Sequence, residues 1–167
     1  MEYKNTWKGR IFLWGGWDII QTQGIDRDFF SHLKEKAHIL YIQAAMESDS
    51  QTLASCSEWF SRLIRFQASD KNIVFTIMSD KDKYAINSKR YDAIYIGWGN
   101  TYKLLDYIIN NNLDIELTRY IKDGGIVYWG SAGAIILGAD IWTVSEENDS
   151  NYSHHKGLDL LNGFSLR

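Results

Sequence analysis

The sequence predicts one doubly wound α/β domain with a mostly parallel sheet and helices on both faces. Two observations carry this. Five short apolar runs, R-I-F-L-W (10–14), H-I-L-Y-I (38–42), N-I-V-F-T-I (72–77), A-I-Y-I (93–96) and I-V-Y-W (126–129), are continuous rather than alternating, which suits strands covered on both sides. Amphipathic stretches separate them, and strand–helix–strand order with right-handed connections leads to a sheet layered by helices.

Each stretch between the runs has its own signature. Ile25, Phe29, Phe30 and Leu33 mark one helical face, and Leu53, Cys56, Phe60, Leu63 and Ile64 a second. Leu104, Leu105 and Ile108 mark a third, and Leu117, Tyr120 and Ile121 a fourth, which Gly124-Gly125 should stop. The polar stretch 145–156, S-E-E-N-D-S-N-Y-S-H-H-K, is expected to be a long mobile loop. No internal repeat or linker divides the chain, so residues 1–167 read as a single domain.

Composition narrows the function. With 45% hydrophobic and 23% charged residues the chain reads as an ordinary globular protein. Its net charge of -3 gives no electrostatic reason to expect nucleic acid, and no basic run marks a membrane surface. No stretch approaches a membrane span of roughly 20 apolar residues, and the first ten residues lack an apolar leader core, so the cytoplasm is the expected location. The single cysteine, Cys56, excludes an internal disulfide and falls on an apolar helical face, where a structural thiol is expected. His32 and His38, at a helix and at a strand start, read as structural.

Ligands of open parallel sheets bind at the carboxyl ends of the strands. Three of those ends carry glycine turns: W-G-G-W (14–17), G-W-G-N-T (97–101) and G-S-A-G (130–133). Ser131 stands in the tightest turn, where a strand enters a helix. There it is either a nucleophile raised on a sharp elbow or the helix N-cap. As a nucleophile it would have the N–H of Ala132 aimed at an oxyanion, with Gly99 as second donor. A nucleotide-binding reading finds neither a G-x-G-x-x-G turn after the first strand nor a phosphate-loop lysine.

I-G-W-G-N-T-Y-K-L-L (96–105) followed by Y-W-G-S-A-G-A-I-I-L-G (128–138) resembles the dipeptidase E and cyanophycinase family of serine peptidases. W-G-G-W resembles that family's first-strand turn, and G-L-D-L-L-N-G-F (157–164) its stretch after the nucleophile helix. The resemblance implies a flavodoxin-like, class I glutamine amidotransferase-like fold. It implies a Ser-His-acid hydrolase of small peptides that forms an acyl-enzyme on Ser131. Gly99 and Ala132 become the oxyanion donors, and Asn100 and Thr101 the matching substrate-side pair. No metal or organic cofactor is implied.

The chain departs from the family in three places. Trp98 and Trp129 stand where glycine is common, either walling the cleft or plugging the top of the core. Q-A-A (43–45) replaces a turn that often contains proline, so a preference for aspartyl dipeptides is not transferred. The family's general-base histidine and its acid are expected beyond Arg167, which makes the chain read as short at its C-terminus. His154 and His155, oriented by Glu146, Glu147 or Asp149, are weak substitutes for that base. The rival expectation is therefore an inactive relative that binds a small anion or peptide at the same glycine turns. A sheet shortened at one edge also suggests self-association.

Overall fold

The computed structural model describes residues 8–15, 20–46, 49–78, 86, 90–148, 150 and 152–166. Five strands form one sheet: β1 (Arg10–Trp14), β2 (Lys36–Ile42), β3 (Asn72–Ile77), β4 (Ala93–Ile96) and β5 (Ile126–Gly130). Every pairing is parallel, in the order β1-β5-β4-β2-β3. Five helices accompany them: α1 (Gln23–Ser31), α2 (Ser50–Gln67), α3 (Thr101–Asn110), α4 (Leu113–Lys122) and α5 (Ala132–Ile136). The expected fold class is the observed one. Among the described residues no helix is long and apolar enough to cross a membrane.

Two apolar layers explain why the strands read as continuous runs. Successive strand residues point to opposite faces, so Leu40, Ile42, Ile94, Ile96, Val127 and Trp129 pack against α3, α4 and α5. Their neighbours Ile39, Tyr41, Tyr95 and Tyr128 pack against Phe29 and Phe30 of α1 and Cys56, Phe60 and Leu63 of α2. With both faces covered, a polar residue has no place to alternate. This second layer is unusually aromatic. Tyr95 and Tyr128 stack with centroids 4.4 Å apart, and Tyr41 stacks on Phe60 at 4.8 Å.

Helix starts follow local capping chemistry. Asp49 accepts the N–H groups of Gln51 and Thr52 to begin α2, and Asn100 accepts the N–H of Lys103 to begin α3. The helix before the fifth strand ends as expected at glycine: Gly124 follows α4 with φ 101°. Cys56 is buried against Gln43 and Met46, and burial pushes its thiol up, as an inert structural cysteine requires. His38 bonds Thr76, and His32 meets Arg10 and the Asp28 carbonyl, so both serve the framework.

The described part of residues 145–156 is the expected loop, with no helix or strand, but it is tied down at several points. In the described part, Asn100 Nδ2 donates to the Glu147 carbonyl, Asp140 bridges to Lys156, and the Tyr152 hydroxyl donates to the Lys156 carbonyl. Charged side chains made the stretch look solvated, but its backbone and Glu146 carboxylate are engaged by the body of the domain.

One carboxylate sits badly. Asp26 on α1 is 1% exposed, and burial raises its carboxyl above the ordinary range, partly opposed by hydrogen bonds from Thr22 and Tyr128. A raised folded-state value favours folding only while the unfolded carboxyl is still protonated. That contribution is complete below the ordinary aspartate value of 3.8 and disappears as pH rises through the higher folded value. Asp26→Asn removes it. The stability of wild type relative to Asp26→Asn is expected to fall with rising pH across that window, measured by paired thermal melts.

Candidate active site

Parallel register assembles the three glycine turns. β5 lies between β1 and β4, with Trp14 opposite Gly130 and Ile96 opposite Trp129. The turn after β5 therefore has the end of β1 on one side and the end of β4 on the other. Gly15 lies in the first turn, whereas Gly16 and Trp17 fall outside the described residues.

Ser131 has φ 50° and ψ -114°, a combination that side-chain-bearing residues rarely adopt. Its N–H donates to the Trp14 carbonyl at 2.7 Å, so the chain stays in the sheet until this residue and then reverses directly into α5. Ser131 occupies the N-cap position of α5, where its carbonyl accepts the Ile135 N–H, but its side chain makes no cap bond. Its hydroxyl is without a hydrogen-bond partner among the described residues and lines a pocket of about 260 Å³. Among the described residues Leu13, Trp14, Gly15, Ala134, Ile135 and Leu166 line it as well.

Gly133 allows the elbow to sit close to β4. A Cβ there would lie 3.1 Å from Ile96 Cγ2 and 3.4 Å from the Ile96 carbonyl oxygen. Gly99 has φ 138°, and a Cβ on it would come within 2.3 Å of the Ala45 carbonyl oxygen. The Asn100 N–H donates to that same carbonyl at 2.8 Å. The Q-A-A turn thus supports the Gly99 turn from beneath and does not line the pocket beside Ser131. Neither the Gly99 nor the Ala132 N–H has an acceptor among the described residues.

Asn100 and Thr101 have their side chains engaged elsewhere. Asn100 caps α3 and reaches Glu147, while Thr101, 0% exposed, gives its N–H and hydroxyl to the Glu146 carboxylate at 2.6 and 3.2 Å. Glu146 was singled out in the sequence only as a partner for a histidine. The structure instead pairs it with the N-terminus of α3, where a helix favours negative charge.

The histidines do not reach the pocket. The His155 ring lies 4.4 Å from that of Trp142 and edge-on to Tyr102, and His154 packs near Tyr152. Neither lines the space beside Ser131. Asp149 falls outside the described residues. Trp129 is a core plug, 0% exposed among the side chains facing α3–α5, and Trp98 packs edge-on against Trp59 at 4.1 Å. The aromatic wall is supplied by Trp14 alone among the described tryptophans. Leu13, Ile135 and Leu166 were missed because nothing distinguishes them in sequence from core residues.

Backbone strain at Ser131 is measurable. Ser131→Gly relieves the unfavourable φ, opposed by the greater freedom of glycine in the unfolded chain. It is expected to raise unfolding free energy by about 1 kcal/mol in urea titrations, whereas Ser131→Ala, which keeps the Cβ, leaves it nearly unchanged. Gly99→Ala creates the opposite situation, and a loss of about 1–3 kcal/mol is expected from the same measurement.

Comparison with known proteins agrees with this geometry. A peptidase E-type protein of provisional assignment from Listeria monocytogenes EGD-e superposes with a TM-score of 0.66 at 17% identity, over 91% of this chain and 75% of its own. A peptidase from an acI-B1 Actinobacterium gives 0.64 at 18% identity, over 92% of this chain and 65% of its own. These likenesses establish a shared fold. No match to a curated protein was found. The model of peptidase family S51 matches residues 18–165, nearly the whole chain and with it the second and third glycine turns though not the first, and the chain belongs to that family.

Proposed function

We propose that the protein is a serine-type peptidase acting on small peptides, with Ser131 as nucleophile. The observation that carries this is the Ser131 backbone: a strained, non-glycine residue at the strand–helix junction, with an uncommitted hydroxyl facing a pocket. Strain of this kind persists only where the surrounding structure imposes it, and such positions cluster at functional sites.

In the proposed reaction, Ser131 Oγ forms a bond to the peptide carbonyl carbon and transfers its proton to a base. The carbonyl oxygen becomes an oxyanion facing the Ala132 and Gly99 N–H groups. Collapse breaks the C–N bond, and the amine leaves with a proton. Water then attacks the acyl-serine ester, releasing the acid and restoring the hydroxyl. Asn100 and Thr101 serve this site as scaffold, holding the Gly99 turn against Ala45 and Glu146, rather than as substrate ligands.

A second reading has its own support. None of the described residues lining the pocket can act as a general base, and serine without one is a poor nucleophile. A non-catalytic family member would bind a peptide or small anion at the same turns.

A fluorophosphonate probe separates the two. Wild type is expected to be labelled and Ser131→Ala spared, with peptide turnover falling at least about 10³-fold in the variant. Equal labelling of both proteins would remove Ser131 as the nucleophile. Absent labelling together with peptide-dependent thermal stabilisation that survives Ser131→Ala would establish the binding-only protein.

A further inference from the structure

We propose that the pocket beside Ser131 selects peptides carrying an uncharged, hydrophobic residue next to the scissile bond, of leucine to phenylalanine size. The proposal rests on Ser131 being the nucleophile and names the substrate class of that site. Leu13, Ile135 and Leu166 present aliphatic walls, Trp14 an aromatic one, and Ala134 and Gly15 leave room between them. The only polar side-chain groups on these residues are the Ser131 hydroxyl and the Trp14 indole N–H. Neither is charged.

Size and polarity decide the ligand together. At about 260 Å³ the space is smaller than the roughly 300–1,000 Å³ of sites that enclose whole small ligands, and suits one side chain. An aspartate or lysine side chain entering it would lose water without meeting an opposite charge among the described residues, which strongly disfavours the ionised form. A leucine side chain loses nothing it needs and buries its full apolar area. Apart from Leu166, its described walls come from the end of β1 and the turn after it and from α5 and the residue before it, and the Ser131–Trp14 hydrogen bond ties these together.

The experiment uses the Ser131→Ala protein, which keeps the pocket but does not consume the peptide. Calorimetric titration with Leu-Ala, Ala-Leu, Asp-Ala and Ala-Asp is expected to show one leucine peptide binding at least about tenfold tighter than either aspartyl peptide. Aspartyl binding as tight or tighter, or no leucine-peptide binding, would overturn the proposal. Ile135→Lys in the same background, checked for folding by its melt, is expected to abolish the leucine preference. An unchanged preference would show that another surface is responsible and also overturn it. Fluorophosphonate labelling of wild type distinguishes the two levels. Labelling with an aspartyl preference rejects this pocket specificity and keeps the nucleophile, whereas a leucine preference without labelling does the reverse.

Discussion

The hydrogen bond from the Ser131 N–H to the Trp14 carbonyl is the constraint on which the site depends. It adds one rung to the β1–β5 ladder beyond the pair Trp14–Gly130. The chain therefore remains sheet-bound up to the residue at which α5 begins, and no spare residue is left to make the turn gradually. All of the reversal falls on Ser131, whose φ of 50° is the result. Relaxing that angle would require either breaking the rung or lifting α5 from its packing against α3 and the β5 side chains. The strain is thus held by the sheet on one side and by the apolar core on the other.

Topology then determines where space remains. Helices α1 and α2 cover one face of the sheet, and α3, α4 and α5 the other. Neighbouring strands whose following helices leave to opposite faces open a crevice at their carboxyl ends. This sheet has two such neighbours, β1 with β5 and β4 with β2. The second crevice is closed by backbone: the Ala45 carbonyl receives the Asn100 N–H and touches Gly99. The first stays open because Gly15 and Ala134 place little bulk there. One crevice thus fixes the direction of the Gly99 turn, and the other receives the ligand in the proposed reaction.

Strands and helices were readable from the sequence because burial on both faces leaves an unbroken apolar signal. β1, β3 and β4 occupy the runs that mark them. β2 begins earlier than its run, since pairing of Lys36 with Asn72 extends the ladder past the last buried residue. The elbow was readable from small residues around one serine. What escaped is set by contacts between distant segments. Glu146 meets Thr101 across 45 positions, a pairing that no local spacing encodes. Of the two readings open for Trp129, cleft wall or core plug, strand alternation decides for the plug, since Tyr128 faces one layer and Trp129 the opposite one, away from solvent.

α5 has only five residues, too short for aligned peptide dipoles to sum to much. In the proposed reaction, stabilisation of an oxyanion would come from individual N–H groups at short range. Ala132 is 1% exposed, and its N–H has no acceptor among the described residues. A buried donor left unpaired costs about 1–3 kcal/mol, and an incoming oxyanion would relieve that cost. Gly99, held by Ala45 and only partly buried, likewise has no acceptor for its N–H among the described residues. The strained serine and the unpaired amides are therefore two expressions of one condition. The fold holds, at the mouth of one crevice, groups whose unfavourable energies a tetrahedral, negatively charged carbonyl adduct would answer together.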